Sequence, residues 1–473
     1  MPGLFLLAQH VQIYDLIDFR FRNLYDRSPQ STHQQTASNI ARVQSHSGIQ
    51  HLKNNPLILS TLNSHAVQLI FSNPTLPLRS CLDFFNFLRQ NPVNKPDLVA
   101  HLTLIRRLYN VRQFTDIQFV LNCIANDVNL RTPISNIVSL VDNGTDDPIF
   151  VEKLCEMLFS VYADNGMFEE AIGVFDYMEK SGFKIHPRCC KVLLLALKRC
   201  GKMDMCCNFF RRMVGADVEI TVHSMTIVID GLCKRGEVER AKDLIEEMVT
   251  NGIEPDVVTY STLINGFCIK GMVDEALKVK TIMEQKRFEP NVITYTTLIN
   301  GFCIKGMVDE ALKVKTIMEQ KRFEPNVVTY STIAGGLCKL KRKKGNLEEA
   351  MQLFEEMEKM GVRPNIVTYT TLIDGYCKIG MMIEAHNLRG VMEVMGHIPD
   401  VYTYSSLIHG ELSSGESAEA LKLLSEMKQR GLIPDFVIYK AIISGLSKQG
   451  KADEALRLYN EMLEAGITPD YRL

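Results

Sequence analysis

Seven side chains able to hydrogen-bond strongly stand at one spacing near the C-terminus: Asp256, Asn291, Asn326, Asn365, Asp400, Asp435 and Asp470. Each directly follows a proline. A carboxylate only accepts hydrogen bonds, whereas an amide both accepts and donates. The two residue types therefore suit different polar edges. Either also suits a helix N-cap, where its oxygen satisfies free backbone N–H groups. Of the six intervals between Pro255, Pro290, Pro325, Pro364, Pro399, Pro434 and Pro469, five measure 35 residues and one measures 39. Six of these prolines lead, five residues on, into Tyr260, Tyr295, Tyr330, Tyr369, Tyr404 and Tyr439. A fixed period of this size describes stacked small units, not a globule with one active-site cleft.

The remaining chemistry-bearing residues give no reaction centre. There is no nucleotide-binding glycine loop, and no His-x-Glu with Cys-x-x-Cys of the zinc-deaminase kind. The eleven histidines are scattered. Of thirteen cysteines, Cys233, Cys268, Cys303, Cys338 and Cys377 share one place in successive units and read as small packing residues. Cys189-Cys190 and Cys206-Cys207 lack the spacer of a usual zinc half-site, so no metal is expected. No cofactor, small-molecule substrate or catalytic extension after the last unit is expected, and the chain is read as no enzyme. Net charge is −2, which names no partner by itself, and no apolar run is long enough for a membrane helix.

The elements that would carry these residues are helices. In 257–291, Tyr260, Leu263, Ile264 and Phe267 lie at i, i+3, i+4 and i+7, one stripe of a helix. Gly271 breaks it. Asp274-Glu275-Ala276 opens a second helix, with Leu277, Val279, Ile282 and Met283 as its apolar residues, and Lys286 to Pro290 ends it. Gly266 and its equivalents, costly inside a helix, predict close helix–helix approach. One such hairpin cannot bury its own stripes, but a stack can. The predicted fold is all-α, a right-handed superhelical solenoid of helix-turn-helix repeats with the first helices lining a groove.

Counting by the period divides the chain. Residues 222–470 hold seven clear repeats, and 152–221 hold two degenerate ones. Residues 80–151 read as worn helical repeats and a linker, with apolar stretches around Leu82–Leu88 and from Leu98 to about Leu121 and a polar stretch near Thr132–Pro148. Residues 1–79 read as a polar leader, similar in composition to an organelle transit segment although Asp15, Asp18 and Asp26 are atypical of one; 471–473 are a tail. Residues 262–292 and 297–327 are identical, so the two units must share one structure. The 39-residue interval comes from an insertion containing Lys341-Arg342-Lys343-Lys344, placed in the turn between two helices.

A unit reading V-V-T-Y-S-T-L-I-N-G-F-C-x-K-G-x-x-D-E-A-L and closing in E-P-N or x-P-D resembles the pentatricopeptide repeat family, its plain P-type subgroup above all. The pattern is also similar to restorer-of-fertility-type members. The tetratricopeptide family, with its period of about 34 and its signature Trp, is the nearest competitor, and this chain has no Trp. Members of the resembled family bind single-stranded RNA, one base per repeat, in mitochondria or plastids of plants. The resemblance implies base reading by the fifth residue of the first helix together with the last residue of the unit. The pairs here are Thr226 with Asp256, Ser261 with Asn291, Thr296 with Asn326, Ser331 with Asn365, Thr370 with Asp400, and Ser405 with Asp435. Acceptor-only Asp suits the N–H edge of guanine, Asn suits adenine, and a short hydroxyl leaves room for a purine. The implied core is 5′-GAAAGG-3′. Lys440 with Asp470, Lys191 with Thr221, and Glu156 with His186 depart from the pattern and are assigned no base.

The resemblance further implies that the second residues, Val258, Ile293, Val328, Val367, Tyr402 and Val437, sandwich the bases. It places Lys234, Lys339, Lys378 and Lys448 against phosphate. The partners implied are single-stranded RNA and RNA-processing proteins, with the mitochondrion, or alternatively a plastid, as the compartment. A protein-binding scaffold of the tetratricopeptide type is the competing reading.

Overall fold

A computed structural model describes residues 62–91, 94–141, 147–216, 218–340 and 344–468. The described residues form helices and turns, without strands, in two compact units that divide after Thr221.

The second unit is a run of seven helical hairpins. Its helices are α10 (Val222–Lys234) with α11 (Val238–Thr250), α12 (Val257–Ile269) with α13 (Val273–Gln285), and α14 (Val292–Ile304) with α15 (Val308–Gln320). Then follow α16 (Val327–Lys339) with α17 (Lys344–Lys359), α18 (Ile366–Ile379) with α19 (Met382–Val394), α20 (Val401–Ser414) with α21 (Ser417–Gln429), and α22 (Phe436–Lys448) with α23 (Ala452–Glu464). Each first helix packs on its own second helix and on the first helix of the next hairpin. This is a solenoid of helix-turn-helix repeats.

The stripe expected in α12 is the buried one. Tyr260, Leu263, Ile264 and Phe267 are all buried, and each such side chain contributes about 1.5–3 kcal/mol when removed from water. In α13 the buried residues are Val273, Ala276, Val279 and Met283. Ile282, read with the apolar residues of this helix, is 41% exposed and lies off the buried stripe of Val273, Ala276, Val279 and Met283. Gly266 shows why a glycine is kept inside a helix. A Cβ there would lie 2.4 Å from Cys233 Sγ, and one at Gly301 would lie 2.5 Å from Cys268 Sγ. Successive first helices touch along this line of glycine over cysteine. All thirteen cysteines are free. Burial pushes the thiols of Cys233, Cys268 and Cys377 up to about 12, so they stay neutral packing groups.

Of the insertion expected in the turn between α16 and α17, Lys344 instead opens α17. Residues 341–343 lie outside the described residues, and α17 has 16 residues where the other second helices of this unit have 13. Pro469, Asp470 and the tail also lie outside them.

The first unit contains α1 (Ser64–Ser72), α2 (Leu78–Gln90), α3 (Leu98–Asn110), α4 (Phe114–Asn126) and α5 (Ile134–Val141). It continues with the hairpin α6 (Pro148–Asp164) and α7 (Phe168–Lys180), then the hairpin α8 (Pro187–Arg199) and α9 (Met203–Gly215). Three sequence expectations shift here. The stretch read as polar leader up to 79 contains α1 and the start of α2; its residues 1–61 lie outside the described residues. Ala66, Val67, Ile70 and Phe71 give α1 a buried stripe that its polar neighbours obscure. The apolar stretch from Leu98 is two helices, α3 and α4, turned at Arg112, which takes φ of 60° without being glycine. The linker near 132–148 contains α5, whose Ile137, Val138 and Val141 are buried.

Candidate functional site

Each first helix from α12 onward is opened by the Asp or Asn that follows the proline. Asp256, Asn291, Asn326, Asn365, Asp400 and Asp435 have extended backbone and accept a hydrogen bond from the backbone N–H three residues on. These bonds measure 2.7 Å from Thr259 N to Asp256 Oδ1 and 3.1 Å from Thr294 N to Asn291 Oδ1. The cap uses Oδ1 alone. Each side chain therefore has one further polar atom, Nδ2 of Asn or Oδ2 of Asp.

The partner expected for each is the hydroxyl of the fifth residue in the preceding hairpin. The two expected partners do not bond directly; a threonine joins them. Ser261 Oγ lies 2.8 Å from Thr294 Oγ1, and Thr294 Oγ1 donates to Asn291 Oδ1 at 3.2 Å. The same link runs from Thr226 through Thr259 to Asp256, from Thr296 through Thr329 to Asn326, from Ser331 through Thr368 to Asn365, and from Thr370 through Thr403 to Asp400. Ser405 and Asp435 have no such link, because Ile438 stands in the threonine's place. The sequence reading missed these threonines. Their signal was present: Thr occupies the third helical position of five consecutive hairpins.

The second helical residues flank this row. Val258, Ile293, Val328, Val367, Tyr402 and Val437 are all exposed, from 54% at Val437 to 76% at Tyr402. An apolar side chain directed at water in six successive repeats is not core packing, and the six together give the face a regular series of apolar steps. The lysines are less uniform. Lys234 and Lys378 each pair with an aspartate one turn back, Asp230 and Asp374, while Lys339 and Lys448 are exposed. Ile269 and Ile304 occupy the same place in the duplicated units and are exposed as well.

The pairs given no base fall apart from the rest. Glu156 and His186, at the fifth and last places of their unit, close on each other at 3.4 Å, with Lys153 Nζ 2.6 Å from the other carboxylate oxygen. Lys191 is partly exposed on α8. Asp470, the partner of Lys440, lies outside the described residues. A further pair was not expected. Asp97 caps α3 through Oδ1 at 2.8 Å and accepts a hydrogen bond on Oδ2 from Gln68 Nε2 at 3.2 Å. Lys95-Pro96-Asp97 repeats the proline-acid signature of the later units, which was the clue available in the sequence.

The family profile described as "PPR repeat family" matches residues 220–269, 255–304, 291–339, 342–378, 364–411, 399–437 and 434–471. A second profile, "PPR repeat", matches 156–183 and 188–218. A pentatricopeptide repeat-containing protein of Arabidopsis thaliana is 43% identical over 159 residues, which span 33% of this chain and 26% of the relative. Another from the same plant, named as mitochondrial, is 27% identical over 187 residues, 38% of this chain and 18% of that protein. Among solved structures, maize pentatricopeptide repeat protein PPR10 aligns over 93% of this chain and 69% of its own, at 21% identity and a TM-score of 0.42. The same protein in complex with an 18-nt psaJ RNA element aligns over 93% of this chain and 74% of its own, at 18% identity and a TM-score of 0.40.

Proposed function

The chain belongs to the PPR repeat family, and from that premise we propose that its C-terminal repeats bind single-stranded RNA one base at a time. The observation that supports this most is the row of half-used caps. In Asp256, Asn291, Asn326, Asn365, Asp400 and Asp435 one oxygen is committed to the helix while the cap makes no use of the other polar atom, and in the first five a threonine connects the committed oxygen to the fifth-residue hydroxyl. Capping and base reading are thus compatible in a single side chain. An Nδ2 donates where an Oδ2 accepts, which is the difference needed to tell adenine from guanine. Taken in chain order the proposed core remains 5′-GAAAGG-3′.

The apolar second residues would separate successive bases, a contact worth about 1–3 kcal/mol per base and tolerant of base identity. Tyr402, the one aromatic in that row, would serve as the firmest step. Lys339 and Lys448 would meet phosphate directly, whereas Lys234 and Lys378 would first exchange their aspartate partners. The action proposed is masking: a covered purine tract in an organelle transcript, mitochondrial or alternatively plastid, is shielded from exonucleases or held out of a hairpin, or serves to recruit a processing protein. The protein would not itself cut or deaminate the RNA. Nuclease protection of an RNA carrying GAAAGG tests this. Protection over those bases is expected, and absence of a footprint there removes the reading.

A second reading, a protein-binding scaffold, has one observation in its favour. On α19 and the turn after it, Ile383, Val394 and Ile398 are 77%, 86% and 71% exposed, where the preceding hairpin carries Glu348, Lys359 and Arg363. If that patch docks protein, Val394→Glu leaves RNA affinity unchanged; a loss of RNA affinity would instead put the patch in the RNA path.

A further inference from the structure

Five threonines sit where they can decide which atom of each Asp or Asn is offered to a base. The geometry points to Thr259, Thr294, Thr329, Thr368 and Thr403 as positioning residues that set base preference, an inference that rests on the RNA reading above. None of them is itself accessible to a base. Thr259, Thr294, Thr329 and Thr403 are fully buried, and Thr368 is 2% exposed.

The argument begins at Oδ1. In each of these five caps the oxygen receives two donors from one threonine. For Asn291 they are Thr294 N at 3.1 Å and Thr294 Oγ1 at 3.2 Å. For Asp400 they are Thr403 N and Thr403 Oγ1, both at 2.9 Å. An amide turned the other way round would set N–H against the threonine's backbone N–H, which can only donate, so the network assigns oxygen inward and Nδ2 outward. In an aspartate the outward place is held by Oδ2. A donor in one repeat thus occupies the place of an acceptor in the next. The hydroxyl has a second task. It also bonds the fifth-residue hydroxyl of the preceding hairpin, at 2.8 Å for Ser261 and 3.0 Å for Thr226. The two reading side chains are thereby fixed relative to each other across a hairpin boundary.

The chain contains its own control. Between Ser405 and Asp435 the third helical residue is Ile438, fully buried and without a hydroxyl. Asp435 keeps the backbone part of its cap, at 3.0 Å to Ile438 N. The sixth base should therefore be read less strictly than the first five.

Competition gel shifts with the full chain, using GAAAGG and single-base A/G exchanges, test the relay. Wild type is expected to favour A over G at the second base. Thr294→Val should reduce that ratio by about fivefold and leave the ratio at the third base unchanged, while Thr294→Ser should retain both. A merely structural role would lower affinity for all the RNAs alike. Ile438→Thr should raise the G-over-A ratio at the sixth base. An unaltered second-base ratio in Thr294→Val overturns the relay and leaves base reading intact. Should Thr294→Val fail to fold, a sixth-base ratio that does not rise in Ile438→Thr overturns it. A wild type without preference at the second base overturns the reading itself, and the relay with it.

Discussion

Glu156 Oε1 lies 3.4 Å from His186 Nε2, and the two residues occupy the places that in later repeats hold a hydroxyl and an Asp or Asn. Lys153 takes the other carboxylate oxygen at 2.6 Å. Both carboxylate oxygens of Glu156 are thus engaged by protein, which leaves that side chain little to offer a base. We expect Glu156→Ala and His186→Ala to leave affinity for GAAAGG within about twofold, and Asn291→Ala to cost about tenfold. Equal losses in a filter-binding titration would make the closed pair a reader.

Exchanging donor for acceptor at a retained cap isolates base preference. Asn291→Asp and Asn326→Asp keep an oxygen for Thr294 N and Thr329 N. They should shift the second and third bases from A toward G with folding unaffected, since Asp and Asn cap helices about equally well. Selection from a randomised RNA pool reads this directly, and unaltered preference would speak against the assignment.

Gly266 tests the packing of the solenoid. Ala there would meet Cys233 Sγ at 2.4 Å and Val238 Cγ1 at 3.1 Å, so Gly266→Ala should destabilise by about 1–3 kcal/mol. The double substitution Cys233→Ala with Gly266→Ala should recover part of the loss, because neighbouring sites are not additive. Urea titrations of the four proteins give the coupling, and simple additivity would contradict the contact.

Glu426 carries the pH prediction. Burial acts to raise its carboxyl, but Arg389 at 3.1 Å, the Tyr404 hydroxyl at 3.0 Å and Arg430 at 2.8 Å hold it below the ordinary value of 4.5. A depressed carboxyl contributes stability that is present above the unfolded value and lost as pH falls through the folded one. Glu426→Gln should therefore be less stable than wild type by on the order of 1 kcal/mol near neutral pH. Thermal melts should show the gap closing below pH 4.5. A gap that is constant with pH would mean the ion pairs contribute nothing.

Much of the repeat architecture was legible because one cause acts many times. A proline, a capping Asp or Asn and a buried Tyr recur together, as at Pro290, Asn291 and Tyr295, and each occurrence predicts the same helix start. The first unit was harder to read. The turn at Arg112 has no glycine, and an arginine at positive φ leaves no trace in composition. The α1 helix buries only one stripe in a polar segment. At the site, fifth and last residues could be paired from the family resemblance, but the bond between Ser261 and Thr294 crosses a hairpin boundary and depends on how the helices stack. Periodicity says that both recur; it does not say that they touch.

The most direct measurement is the dissociation constant of the purified chain for GAAAGG against CUUUCC, in the same single-stranded context and at one salt concentration, since phosphate contacts alone are salt-dependent and blind to sequence. Preference for the purine tract by about tenfold or more is expected if the six proposed pairs read bases. Equal affinity for the two would show a face that holds RNA without reading it, and would contradict the account.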